Sequence, residues 1–461
     1  MRPRLAPPAL AVCALLAADA LGQNSLTIAQ AVEEALQNYP SIRVTQEQMN
    51  AAAAGIRLAQ TAYLPRVDGI AQVNRATRNT FYGLLLPQSV IPGVDGVPAN
   101  NFGSVWDSGA GVLVTWEPFD FGLRAANVAA ATAERERARA AVNRTEFDVA
   151  VATADVFLTV VAAQQTEEAA RVVVESWQTL LRIIHARVAA ELRPGADEAR
   201  VQAELAQAQI QLAQAGQAVA LARAALAQFV GDSQAQLNPV ADRLVGEQPA
   251  EVAERPENVP FDFAAHPAAL EENAAIAQAQ SQLQALERTY KPQFVVQGLA
   301  AARGTAMLTD GARLGGVNGL APTVENYSLG LTVTFPAMDR FALREREAMQ
   351  KANIRSGQAQ VQTIARELEA QFNQAVASLN GARRIAQSTP IAVSSARAAL
   401  QQASARYQSG LAPIDDVAQA QRLLAQAQIN DALARLSVWR DRLQVETARG
   451  NIQPFLAEAS Q

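Results

Sequence analysis

The sequence predicts a mostly α-helical protein that also carries β-strands, of membrane or soluble type, laid out as a tandem duplication of helix, strand, strand, long helix, turn and helix. Three observations predict it. The chain matches itself at a fixed offset, its longest segments are rich in Ala and Gln, and four short segments alternate apolar with polar residues. A repeat is read first because it sets the architecture.

The repeat is explicit. Arg187-Val-Ala-Ala-Glu-Leu-Arg-Pro194 aligns with Arg406-Tyr-Gln-Ser-Gly-Leu-Ala-Pro413 at an offset of 219. The same offset matches Asp197 with Asp416, Ala206-Gln-Ala-Gln-Ile210 with Ala425-Gln-Ala-Gln-Ile429, and Gly231 with Gly450. Upstream, Gly111-Val-Leu-Val-Thr-Trp116 meets Gly330-Leu-Thr-Val-Thr-Phe335, and Asp120 meets Asp339. Earlier still, Pro40 pairs with Pro267 and Ala62-Tyr-Leu-Pro65 with Thr289-Tyr-Lys-Pro292 at offset 227, so the first copy has a loop 8 residues longer between its strands.

Composition removes several function classes. With 49% apolar and 18% charged residues, the 461-residue chain is not disordered, and its length allows one large body or up to three modules. Lys+Arg 39 against Asp+Glu 44 leaves a net charge of −5 and no surplus to hold a nucleic-acid backbone. The only Cys is Cys13 and the only His are His185 and His266, which cannot compose a zinc, iron–sulfur or haem motif. A phosphate loop is missing from the sequence as well. The expectation is a protein that is not an enzyme and has no catalytic residue, cofactor or metal.

The elements follow in chain order. Arg2 and Arg4, the apolar run Leu10–Ala18 and the small residues around Ala20 and Gly22 read as a secretory signal over residues 1–22. Val12 makes Leu10-Ala-Val-Cys13 a poor lipobox. The first repeat covers 23–231: a helix, strands near 65–75 and 108–117 with the loop Phe81–Phe102 between them, then helices near 122–191 and 196–229. Val67, Gly69, Ala71 and Val73 alternate with polar neighbours, as do Ala110, Val112, Val114 and Trp116. The Pro- and Glu-rich stretch 232–260 is a linker. The second repeat covers 261–450, with strands near 292–302 and 326–336 and helices near 340–409 and 413–449; a tail, 451–461, follows. Its alternating sets are Phe294, Val296, Gly298, Ala300 and Tyr327, Leu329, Leu331, Val333, Phe335. Such alternation suits a membrane strand and a soluble sandwich strand equally. Four strands do not close a barrel, since small barrels need about eight, so strands in lipid require several chains to share one.

The long helices are unusual. The run from Leu123 to Ala190 has no proline and would extend on the order of 100 Å. Gly357, Gly381 and Pro390 are the places where the second long run would bend or break. The apolar stripes are mostly Ala, which packs closely but buries little area per residue.

Tyr63-Leu-Pro65, Trp116-Glu-Pro-Phe-Asp-Phe-Gly122 and Arg406-Tyr-x-x-Gly-Leu…Asp416-Val-x-x-Ala-Gln421, together with the duplication, resemble the TolC-like outer-membrane efflux protein family. The resemblance implies a homotrimer in the cell outer membrane, in contact with its lipid, each chain giving four strands to a twelve-stranded barrel that sits on a long periplasmic α-helical barrel. It implies a belt built from about Ser25–Tyr39, Val230–Pro260 and Asn451–Gln461. It also implies a passive exit duct of a tripartite efflux or type I secretion system, docked through a periplasmic adaptor (membrane fusion) protein to an inner-membrane pump or ABC exporter.

Specific residues carry over. The turns Glu191–Ala196 and Gly410–Ile414 form the periplasmic tip and receive the adaptor, through Leu192 and Pro194 in one and Gly410, Leu411 and Pro413 in the other. The first turn departs from the pattern, with Glu191 at the glycine position and Val188 at the aromatic one. Tyr407 and Asp197 belong to the two turns and are expected to share a hydrogen bond that locks them, weakened by Ala412 where some relatives carry a base, unless Arg193 substitutes. Asp416 is expected to face the pore as one member of an acidic ring, with Gln419 where a further acid occurs in the family. The competing interpretation is that Asp197 and Asp416 cap or complement helix starts. Trp116, Phe119 and Phe121 are expected to pack at the strand-to-helix junction, His185 and His266 to be solvated or capping, and Glu134–Arg137 to be a solvated face. A periplasmic coiled-coil scaffold or adaptor outside the membrane is the rival function.

Overall fold

A computed structural model describes residues 25–77, 104–190, 195–231, 238–239, 242–246, 249, 262–306, 314–336 and 339–460. The signal, Cys13, the loop Phe81–Phe102, the turn residues Glu191, Leu192, Arg193 and Pro194, and most of the linker lie outside them.

The order is β1 (Ser25–Leu26), α1 (Ile28–Asn38), α2 (Pro40–Thr61), β2 (Arg66–Thr77), β3 (Ser104–Phe119), α3 (Leu123–Ala189) and α4 (Gly195–Val230). It continues with β4 (Asn238–Pro239), α5 (Asp242–Gly246), α6 (Pro267–Arg288), β5 (Gln293–Thr305), β6 (Val324–Thr334), α7 (Asp339–Gln408), α8 (Ile414–Arg449) and α9 (Gln453–Ala459). None of the described helices is apolar enough over its length to cross a membrane. The connection from β2 to β3 holds 26 residues and that from β5 to β6 holds 18, which reproduces the 8-residue excess in the repeat offsets.

The chain divides into two compact units, each drawing on both copies. One comprises Met1–Ile42, Thr145–His266 and Leu368–Gln461; the other comprises Arg43–Arg144 and Pro267–Glu367.

In the first unit the largest core gathers segments far apart in sequence: Leu26 and Ile28 from the start, Leu244 from the linker, Phe455 and Leu456 from the end. They close around Phe157 of α3, Leu226 of α4 and Trp439 of α8, all within 1% of complete burial. β1 pairs with β4 in parallel, Ser25 opposite Asn238. α1 begins in a capping box, in which the Gln30 backbone N–H donates to Thr27 Oγ1 at 3.3 Å and the Thr27 N–H to Gln30 Oε1 at 2.9 Å. It is fastened to the end of α4 by Asn38 Nδ2, which donates to the Val230 carbonyl at 3.2 Å, and by Tyr39 stacked on Phe229 at 5.0 Å. The linker is held through its backbone, since Arg383 donates to the Pro249 carbonyl and Arg435 to that of Val245. Glu446, 2% exposed, pairs with Arg442 and Arg449, and Arg442 reaches Glu458 on α9 at 3.2 Å. His266 is buried at 7% exposure, with its Nε2 against the Thr447 carbonyl at 3.2 Å and its ring edge-on to Phe147. Of the two expected alternatives, solvated or capping, His266 takes the second: it is buried against a carbonyl of the last turn of α8.

In the second unit α3 and α7 both pack on α6. Arg144 pairs with Glu271 at 2.9 Å, Arg137 donates to Gln278 Oε1 at 3.1 Å, and Gln350 Nε2 donates to the Ala279 carbonyl at 2.9 Å. A Cβ on Gly357 would stand 2.8 Å from Ile276 Cγ1, so this glycine marks a close approach of α7 to α6. It is no break: α7 runs unbroken through Gly357, Gly381 and Pro390. Proline at 390 leaves the Ala386 carbonyl without its helical donor. The Thr389 hydroxyl lies 3.4 Å from that carbonyl and 2.6 Å from Asp431 Oδ1, which ties α7 to α8 at the interruption.

The largest side chain by which the tail helix α9 enters the core is Phe455, fully buried edge-on to Trp439 at 6.2 Å. Phe455→Ala is expected to cost about 3–5 kcal/mol, the range for deleting a buried aromatic ring. Denaturant unfolding followed by Trp fluorescence checks this; a change below ~1 kcal/mol would show that α9 contributes little to the core.

Candidate functional site

The four-stranded sheet has the order β2-β3-β5-β6 with every pair antiparallel, so the central β3–β5 pair joins the two copies. In an antiparallel pair, directly opposed residues share a face. Val114 lies opposite Val67 and Gly298, Val112 opposite Gly69 and Ala300, and Trp116 opposite Val296. Gly298 in turn faces Leu329, Ala300 faces Tyr327, and Phe294 faces Val333. The register thus places all four apolar sets on one face. The opposite face carries Asp68, Gln72, Asn74, Thr115, Gln297, Ser328, Asn326 and Thr332, with Leu113 and Leu299 among them. The apolar face is uncovered: Leu329 is 81% exposed and Tyr327 90%. A shallow hollow of about 440 Å³ lies over Gly298, between Trp116 and Leu329. On the polar face β3 and β5 approach so closely that a Cβ on Gly111 would sit 2.5 Å from that of Ala301.

β3 turns into α3 through Asp120-Phe121-Gly122, where Phe121 takes a left-handed φ of 51° and Gly122 one of 84°. A buried ion pair over-determines the turn. Asp120 Oδ1 accepts the Gly122 N–H at 3.1 Å, and its Oδ2 accepts both the Arg124 N–H at 2.6 Å and Arg124 Nε at 2.9 Å. The Arg124 guanidinium lies 4.8 Å over the Tyr63 ring, and Trp116 Nε1 donates to the Tyr63 carbonyl at 3.3 Å. Phe119, Phe121 and Phe294 form an aromatic cluster with centroids 4.6–6.2 Å apart. Burial pushes the Asp120 carboxyl up, but the Arg124 and Gly122 hydrogen bonds outweigh it and hold it below its ordinary value.

A second site lies where α3, α4, α7 and α8 meet in the first unit. α7 ends in a Schellman motif: the Gly410 N–H bonds the Tyr407 carbonyl at 3.1 Å, the Leu411 N–H bonds that of Arg406 at 2.8 Å, and Gly410 has φ 76°. Pro413 then occupies the N-cap of α8 and makes no side-chain cap. Leu411 is 73% exposed, while Ala412 and Ile414 are buried. Tyr407, 2% exposed, packs with Trp177, Ile184, Val201 and Val417, and its hydroxyl donates to Asp197 Oδ2 at 3.0 Å. Two residues expected to meet across 210 positions of sequence do so.

The two acids of the α8 start separate. Asp415 pairs with Arg200 Nε at 3.2 Å, whereas Asp416 is exposed in the first turn and makes no capping bond. Arg200 also reaches Glu204 at 3.4 Å, and Arg422 reaches the same Glu204 at 3.3 Å, which stitches α4 to α8. His185 lies 2.9 Å from Glu198, linking α3 to α4. Sequence reading missed this stitching. Its only local trace is the acid four residues after Arg200, because Asp415 and Arg422 come from the other copy.

The chain matches the family model described as outer membrane efflux protein over residues 31–232 and 265–451. Among solved structures it is similar to the outer-membrane channel OprN, with a TM-score of 0.71 at 18% identity over 92% of this chain and 90% of that one. The Campylobacter jejuni CmeC outer membrane channel gives 0.69 at 16% identity, covering 94% and 89%. The Vibrio cholerae outer membrane protein VceC gives 0.68 at 18%, covering 92% and 96%. A search of the curated proteins gives no significant match.

Two outcomes follow from this geometry. A group whose folded pKa is depressed stabilises above its unfolded value and loses that contribution as pH falls through the folded value. The Asp120 contribution is therefore expected to be intact above pH 3.8, the ordinary value, and to fade below it. Acid unfolding should be less steep in Asp120→Asn than in the wild type; equal slopes would show that the pair adds no pH dependence. A hydrogen bond to a charged group contributes about 1.5–3 kcal/mol, so a double-mutant cycle of Tyr407→Phe with Asp197→Asn should give a coupling of that order. A coupling near zero would assign Tyr407 to packing alone.

Proposed function

The chain belongs to the outer membrane efflux protein family, and on that premise we propose that three copies assemble around one axis as an exit duct of a tripartite efflux or type I secretion system. The carrying observation is the sheet: one apolar face, one polar face, and two outer strands, β2 and β6, each paired on one side only among the described residues. An open edge is not tolerated in lipid, because its N–H and C=O groups have no water to bond. Joining β6 of one copy to β2 of the next removes every edge. Three copies of four strands give twelve, enough to enclose an aqueous passage lined by the Asp68, Gln72, Asn74 and Gln297 face. The soluble scaffold has no use for a sheet whose large apolar side chains stand in solvent.

The remaining assignments extend this reading. Residues 1–22 direct export, 23–231 and 261–450 are the two repeats, and 232–260 with 451–461 complete the belt that the shared core of Leu26, Leu244 and Phe455 supports. α3, α4, α7 and α8 form the periplasmic tunnel wall. The duct has no catalytic site and no cofactor; work is done by an inner-membrane pump or ABC exporter, which reaches it through a periplasmic adaptor. Exposed Leu411, beside Gly410 and Pro413, offers the adaptor an apolar contact held in fixed geometry by the Schellman turn. The Tyr407–Asp197 bond holds the tip closed, and Asp416 lines its narrowest point.

Detergent-extracted protein is expected to be a trimer by native mass measurement; a folded monomer in detergent would defeat the architecture. In planar bilayers Tyr407→Phe should raise resting conductance, because it removes the tip bond and keeps the ring. Three carboxylates a few ångströms apart repel by several kcal/mol at an effective dielectric near 20 and so attract multivalent cations, in order-of-magnitude terms. A trivalent cation added on the tip side should close the wild-type channel reversibly and Asp416→Asn far less. Equal closure of both would return Asp416 to the part of a helix-start acid.

A further inference from the structure

We propose that the cavity at the start of α7 binds the headgroup of an anionic phospholipid through Arg340 and Arg344. The inference rests on the membrane-channel reading. The cavity measures about 780 Å³ and is lined by Tyr290, Arg340, Phe341, Leu343, Arg344 and Glu347. Tyr290 stands three residues before β5 begins at Gln293, and Arg340 to Glu347 follow the end of β6 at Thr334 by 6 to 13 residues.

Charge and shape favour an anion. Arg340 and Arg344 are four residues apart and so share one helix face. Among the described residues neither guanidinium has an ion pair or hydrogen bond, whereas the lining acid Glu347 is already occupied by Lys351 Nζ at 3.3 Å. A third cation, Lys291 Nζ, lies 5.6 Å from the Tyr290 ring. Guanidinium matches phosphate oxygens in a planar, bidentate fork.

The surroundings favour a lipid over a free ion. Phe341 is 73% exposed, Phe335 68% and Tyr290 44%, and Leu343 forms a buried apolar floor. Aromatic rings of this kind settle at headgroup level. The duplication adds a control within the chain. At offset 219 the counterparts of Arg340 and Arg344 are Phe121 and Ala125, and the one arginine there, Arg124, is neutralised by Asp120. That junction folds without free arginines, so turning a strand into a helix does not require them in the second copy.

The test reconstitutes the full chain in nanodiscs of phosphatidylcholine with a minor fraction of phosphatidylglycerol and identifies, by native mass spectrometry, the lipids retained by the ejected trimer. Wild type should retain phosphatidylglycerol above its bulk fraction, by roughly five-fold per arginine. Arg340→Gln with Arg344→Gln should bring retention down to the bulk fraction with the trimer intact, and Arg340→Lys with Arg344→Lys should keep part of it. Equal retention in wild type and the glutamine variant overturns the site. Displacement of the lipid by inorganic phosphate shows a soluble-anion site and overturns it too. Dissociation of the glutamine variant to monomers assigns the arginines to the subunit seam, again against the proposal. A wild type that enters nanodiscs without forming a trimer defeats the channel reading itself, and the lipid site with it.

Discussion

Everything in this chain depends on where the backbone hydrogen bonds of a four-stranded sheet go. β3 and β5 are paired on both sides, while β2 and β6 each keep one row of N–H and C=O groups without a strand partner among the described residues. In water such edges are a hazard that proteins blunt with charge or proline. Here the face between them is apolar and uncovered, which suits hydrocarbon and excludes water from the edge. Glycines at 69, 111, 298 and 330 thin the sheet without breaking its alternation, and at Gly111 the approach of Ala301 leaves no room for a side chain.

The helices solve a different problem. Alanine stripes allow long helices to lie close but bury little area, so stability concentrates where large rings are inserted. Phe157, Trp439 and Phe455 close the core that unites the two ends of the chain with the linker, and Trp177 with Tyr407 closes a second core where two helical hairpins meet. Between such anchors the helices are joined by ion pairs that are largely exposed, such as Arg440 with Asp155, and exposed pairs contribute little. In a molecule built this way, stability is concentrated at a few clusters of buried rings.

Duplication supplied two copies, and the differences between them mark function. At the strand-to-helix junction the first copy spends its arginine internally, on Asp120, while the second keeps Leu343 at that place and turns two arginines outward. At the helical turns the second copy has Gly410 in a left-handed conformation, where the first has Glu191. Glycine takes that conformation without the strain a side chain would meet.

Much of this was legible in the sequence because it is periodic or local. Alternation in Val67–Val73 and Tyr327–Phe335 marked the strands, the repeat offsets gave the excess loop length, and the Tyr-x-x-Gly-Leu turn gave the end of α7 before any coordinate. The sequence by itself also determined that the apolar sets would share a face, since a period of two leaves no other arrangement once the strands pair in register. Tertiary structure alone decided the rest. Gly357 and Pro390 read as places where α7 would bend or break; the structure carries α7 through both, with Ile276 packed at the first and the Thr389–Asp431 contact at the second. His266 read as solvated or capping, and only the return of α8 selects the capping role. Asp415 and Asp416 are adjacent, chemically identical and both exposed; only the position of Arg200 on another helix pairs one and not the other. Such outcomes depend on contacts between residues 42 to 215 positions apart, whose energies no local pattern encodes.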